Sequence, residues 1–139
     1  MKRAGMYSLV VIFSYLIGVL FYKVAYSVLS ISERSEYDLL YTGINLFFIF
    51  CVVPAYFLIV LILKSVNIQS TAVYALLLTI FGFIPSTLVP FMGGFGFIFL
   101  TPSYYISEMA MLLYAFFTGT AVSFSLGVKI LRHYPALLK

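Results

Sequence analysis

The sequence predicts an all-α protein, an integral membrane bundle of four transmembrane helices with the third helix kinked by prolines. Three observations predict it. Of 139 residues, 64% are hydrophobic and 9% charged, and the mean hydropathy is +1.15; an ordinary soluble domain carries about 25% charged residues. A chain of this size leaves much of its surface exposed when folded, so water would meet most of that apolar area. The apolar residues gather into four long charge-free runs, each close to the ~20 residues a helix needs to cross the hydrocarbon core. The charges lie between the runs and separate by sign from one junction to the next.

The first helix is expected over about 4–29, its charge-free core running from Ala4 to Tyr22 between Arg3 and Lys23. No small-residue cleavage site follows, so it reads as a retained helix rather than a removed signal peptide. The segment "SISERSEYD", Ser30 to Asp38, is the most charged in the chain and is expected as an outer loop, 30–38. The second helix spans about 39–64, ends at Lys64 and is expected to kink at Pro54; "SVNIQS" is the polar turn after it.

The third helix is expected over 71–92. Proline in a helix interior removes one hydrogen bond and pushes on the carbonyl four residues back. Pro85 would free the carbonyl of Phe81 and Pro90 that of Ser86. A free carbonyl is costly in lipid unless protein or water meets it, so the kinked side is expected to face other helices.

An outer segment, 93–106, follows: "GGFGFIFLTPSYYI". If it is extended, Phe95, Phe97 and Phe99 fall on one side. Two readings stand. Either it caps the outer face at headgroup level, or it re-enters the bilayer against protein or water. Thr101-Pro102 is a helix-start pair, a hydroxyl cap followed by proline at the first position. The fourth helix is therefore placed at 102–131. The whole chain, 1–139, reads as one membrane domain.

Four crossings put Lys2, Arg3, Lys64, Lys129, Arg132 and Lys139 on one side and Glu33, Glu36, Asp38 and Glu108 on the other; Lys23 and Arg34 depart from the pattern. By the positive-inside rule both termini are expected in the cytoplasm of a multi-pass protein of the cell membrane.

Few residues offer chemistry. Lys23 sits at the outer end of helix one, either snorkelling to the headgroups or paired with Glu108. Glu108 reads either as a carboxylate favoured by a helix N-terminus or as a polar group at membrane depth. Asn45, near Thr42 and Gly43, can bridge helices or bind a solute. Lys23, Asn45 and Glu108 together form the candidate polar pair or outer vestibule. In helix four, Ala115, Gly119, Ser123 and Gly127 recur every fourth residue. They form a small-residue seam for close helix packing, either within the monomer or between two copies. Ser14 and Gly18 are a shorter version in helix one.

One cysteine, Cys51, and one histidine, His133, do not make a tetrahedral zinc site or a Ser–His–Asp arrangement. "MGGFG" lacks the lysine and the strand–helix context of a phosphate loop. The basic residues are too few and too close to the membrane for nucleic acid. No cofactor and no enzymatic activity are expected. The expected partners are the bilayer and either a protein partner or a homo-oligomer through helix four.

The plan of four spans with short connections resembles that of small bacterial four-helix integral membrane proteins, many of them uncharacterised. This class includes bacteriocin-immunity proteins and accessory subunits. The small multidrug-resistance transporters also have four short helices but carry a glutamate in the first, where this chain has no acid. The resemblance implies a non-enzymatic protein acting through a membrane or secreted partner in an accessory, regulatory or immunity role. The alternative is a small oligomeric transporter or channel with an outer vestibule.

Overall fold

A computed structural model describes residues 2–29, 35–68, 70–92 and 94–133, without the side chains at 2–4, 35–36, 84–86 and 92. The expectations placed on Lys2, Arg3, Glu33, Arg34, Lys139 and Gly93, and on the side chains of Glu36 and Pro85, fall outside the described residues. Those described form helices and turns with no strand among them. The elements are α1 (Lys2–Val28), α2 (Ser35–Phe47), a π turn (Phe48–Val52), α3 (Val53–Ser65), α4 (Thr71–Ser86) and α5 (Leu88–Met92). Two 3-10 turns (Ile98–Leu100 and Pro102–Ile106) and α6 (Glu108–His133) complete the chain. Four stretches are long and apolar enough to cross a membrane: Gly5–Val28, Tyr37–Ser65, Thr71–Phe91 and Glu108–His133.

The helices run antiparallel in sequence order. Ring contacts Tyr7–Phe57, Tyr15–Phe48 and Tyr22–Tyr41 step in opposite directions along α1 and the second span. The start of α1, the α3–α4 junction and the end of α6 gather at one end, here the near end. The end of α1 and the starts of α2 and α6 gather at the far end, where Tyr26 meets Tyr37 and Tyr37 meets Glu108.

The hub is α6. More than half of its spanning window is buried (56%), against 17% for α1. Its inward residues Leu112, Leu113, Phe116, Phe117, Ala121 and Phe124 are all fully buried. The outward stripe of α1, Leu9, Ile12, Phe13, Leu16 and Leu20, is apolar and exposed. Lipid tails are as apolar as leucine, so no hydrophobic force drives helices together inside a bilayer. Close packing and hydrogen bonds must do so instead.

Two kinds of contact hold the bundle. Where small residues lie, backbones approach. A Cβ built on Gly18 would stand 2.3 Å from Thr120 Cγ2 and 3.1 Å from the Phe116 carbonyl oxygen; on Gly127 it would stand 2.5 Å from Val10 Cγ1. α1 and α6 therefore interlock in both directions, each placing side chains in the other's glycine notches. Where aromatics lie, the helices stand further apart. The rings of Phe48 and Phe116, Phe47 and Phe117, and Tyr56 and Phe124 fill the space between the second span and α6, with centroids 5.8, 6.3 and 5.0 Å apart.

Several boundaries differ from expectation. Ser35–Asp38, expected in the outer loop, are the first turn of α2. At Pro54 the structure places a π turn just ahead, in which the Val53 N–H bonds to the Phe48 carbonyl. Pro54 thus falls in the first turn of α3, where a missing N–H costs least. The third span is interrupted at Thr87, between α4 and α5; Pro90 is a buried member of α5. That short helix ends as a Schellman motif: Gly94, at φ +82°, donates to the Phe91 carbonyl and Phe95 to that of Pro90. Asn67, at φ +60°, closes α3 in the same way, with Asn67 N–H on the Lys64 carbonyl and Ile68 N–H on that of Leu63.

The segment after α5 is not extended, since Gly94 and Gly96 have positive φ and two 3-10 turns follow. Helix four begins at Glu108, not at Pro102. The Thr101 hydroxyl turns back to the Ile98 carbonyl at 2.6 Å instead of capping forward, and Pro102 opens a 3-10 turn. The cap of α6 is Ser107, whose Oγ accepts the Ala110 N–H at 3.2 Å.

Candidate functional site

Polar side chains in an apolar bundle need partners, and the structure shows where each goes. Tyr15 on α1 donates to Asn45 Oδ1 on α2 at 2.9 Å. Tyr37 at the start of α2 donates to Glu108 Oε2 at 3.0 Å. Tyr56 Oη and Thr120 Oγ1 lie 3.0 Å apart in the centre of the bundle. Thr120 spends its single proton on the Phe117 carbonyl at 2.9 Å, so the Tyr56 phenol is the donor to Thr120. No buried side-chain nitrogen or oxygen among the described residues lacks a hydrogen bond.

The three residues grouped as a pair or vestibule are therefore not brought together. Asn45 bridges α2 to α1. Glu108 sits in the first turn of α6, exposed, and its carboxylate is held by Tyr37. Lys23 is exposed and forms no ion pair among the described residues. It lies on the same stripe of α1 as the outward Leu16 and Leu20, away from Glu108.

Compared with protein families, curated proteins and solved structures, the chain matches none.

The small-residue seam divides its work. Gly119 and Gly127 face α1: a Cβ on Gly119 would meet the Phe21 ring at 2.9 Å, and Gly127 faces Val10. Ser123 returns its hydroxyl to the Gly119 carbonyl at 2.7 Å. The same three residues, with Phe13, Val122 and Leu126, also line an outward-opening apolar groove of about 540 Å³ between α1 and α6. Ala115 is partly buried further along α6.

At the near end a second cavity, about 790 Å³, is bounded by the α3–α4 junction and the end of α6. Its charged lining is basic, and Arg132 there donates to the Tyr74 phenol and lies 4.5 Å from that ring's centroid.

At the far end, Tyr104 in the second 3-10 turn is buried, which raises its phenol well above the usual tyrosine range; nearby Tyr114 and Tyr105 add to the rise. No group of three or more metal-ligating side chains occurs among the described residues.

Sequence reasoning missed the tyrosines. Tyr15, Tyr22 and Tyr26 share one face of α1, as Tyr37 and Tyr41 do on α2. A phenol repeated at helical spacing within an apolar run is the signal that could have found them, because such a group must meet a partner in lipid.

Proposed function

We propose that this is a non-enzymatic integral membrane protein of the cell membrane, both termini cytoplasmic, that acts by docking against a partner's transmembrane helix. The observation that carries this reading is the apolar groove between α1 and α6. There the exposed Phe13, Val122 and Leu126 flank the half-buried Ser123 around an outward-opening cleft of about 540 Å³. Small residues beside an open apolar groove are what a neighbouring helix packs on in a bilayer. The polar interior supports the reading too, because Asn45, Tyr56 and Thr120 are spent on partners within the chain rather than lining a path for solute. The charge pattern of the sequence supports cytoplasmic termini. We place a bend in the third span at Thr87, between Pro85 and Pro90.

The test is affinity capture of the tagged protein from native membranes in mild detergent, comparing wild type with Ser123→Phe, which fills the groove. A stoichiometric partner, or a second copy of the chain, that is lost on Ser123→Phe while the thermal transition is kept supports the reading. Equal recovery with both proteins refutes it. The alternative, a small oligomeric transporter or channel, rests on Lys23 and Glu108 standing exposed towards the far end. It requires solute flux in proteoliposomes that falls on Lys23→Met and Glu108→Gln.

A further inference from the structure

The cavity at the near end takes its lining from α3, α4 and α6, with Tyr7 of α1 and the α3–α4 turn completing it. Lys64 comes from the last turn of α3, Thr71 and Tyr74 from the first turns of α4, and Lys129, Arg132 and His133 from the end of α6. Part of this has an ordinary cause, because cations in the last turn of a helix offset the negative end of its dipole. That cause does not explain why basic side chains from two helix ends line one concavity of about 790 Å³. Nor are they balanced there. Among the described residues no carboxylate lines the cavity, and the described acids Asp38 and Glu108 begin α2 and α6 at the opposite end.

Arg132 is a prepared donor. Its guanidinium bonds the phenol of Tyr74 and lies over that ring, and Tyr74 itself is 2% exposed. One of five N–H donors is used in this way, and the others remain in a fixed fork suited to bidentate oxyanions. The phenol accepts from Arg132 and keeps its own proton to give. Thr71 adds a hydroxyl at a helix start, the positive end of a dipole. Behind this polar rim Val60, Val128 and Leu131 form an apolar wall.

We propose that this cavity binds a phosphate group, carried by an anionic phospholipid headgroup or by a phosphate-bearing solute. Arg132, oriented by Tyr74, is the specific ligand, and Lys64 and Lys129 supply the remaining positive charge.

The experiment uses the full chain in two arms. In the first, the protein is reconstituted in nanodiscs of equal parts phosphatidylglycerol and phosphatidylcholine, and retained lipid is read by native mass spectrometry. In the second, it is held in phosphatidylcholine alone, and the thermal transition is followed as inorganic phosphate is added. Wild type, Arg132→Gln, Tyr74→Phe, Lys129→Gln and Lys23→Gln are compared.

A lipid source gives selective phosphatidylglycerol retention. A solute source gives phosphate-dependent stabilisation without lipid selectivity. In either case Arg132→Gln lowers the response about tenfold, the loss of one charge-assisted contact. Tyr74→Phe, which keeps every charge, lowers it about threefold, and Lys23→Gln leaves it unchanged. If Arg132→Gln fails to fold, Tyr74→Phe and the exposed Lys129→Gln decide the matter. The proposal is overturned if Tyr74→Phe and Lys129→Gln behave as wild type in both arms, or if Lys23→Gln loses as much as they do. Either result would mean diffuse surface charge and no site.

Discussion

The phenol of Tyr56 donates to the hydroxyl of Thr120 across 3.0 Å, with Tyr56 1% and Thr120 0% exposed. The bond joins α3 to α6, and its two ends are not equivalent. In Tyr56→Phe, Thr120 keeps its own bond to the Phe117 carbonyl, so the loss is about 1 kcal/mol. In Thr120→Val the shape is kept but a buried phenol loses its acceptor, costing about 1–3 kcal/mol. Reversible unfolding in mixed micelles should rank Thr120→Val as the more damaging. The reverse order would mean that Tyr56 has a second acceptor.

Glycines in α1 give an internal comparison. A methyl on Gly18 meets Thr120 and the backbone oxygen of Phe116, whereas one on Gly5 has nothing within 4 Å. Gly18→Ala should lose about 1–3 kcal/mol by forcing α1 off α6, while Gly5→Ala should be neutral or gain a few tenths of a kcal/mol from helix propensity. Gly119→Leu should lower the thermal transition in detergent by displacing Phe21. Unchanged stability in Gly119→Leu and Gly18→Ala would refute the interlock.

The Tyr15–Asn45 bond can be isolated by a double-mutant cycle. Tyr15→Phe, Asn45→Leu and their combination should give a coupling of about 0.6–1 kcal/mol, the usual size for a side-chain bond between membrane helices. A coupling near zero would show that the two side chains find other partners equally well.

Asn67 tests the end of α3. At φ +60° it holds the left-handed position of the cap. Asn67→Gly should change stability by a few tenths of a kcal/mol, and Asn67→Val should lose about 1–2 kcal/mol because its branched Cβ crowds the following carbonyl. Equal stability of the two would show that the α3–α4 turn adopts another conformation in solution.

The number and placement of the apolar helices could be read from the sequence because hydrocarbon thickness imposes a length that charge-free runs report directly. The start of α6 could not. Thr101-Pro102 and Ser107 are both credible starts, and the choice turns on where the Thr101 hydroxyl points, which only the fold of the preceding 3-10 turn decides. The spacing of Ala115, Gly119, Ser123 and Gly127 marked a seam but not its occupant. The occupants, Phe21 and Val10, are ordinary apolar residues of α1 with nothing in their local sequence to distinguish them. Opposite charge suggested Lys23 for Glu108. Helical phase places Lys23 among outward leucines instead, and a tyrosine holds the carboxylate.

That α6 is the hub has a consequence for biogenesis. It is the last of the four spans to be translated, yet the Gly18 notch on α1 and the aromatic face of the second span both close on it. The earlier spans are made before their main packing surface exists. Assembly must wait for the fourth span, and a chain that stops before α6 keeps only the contacts of the second span with α1 and with the third span.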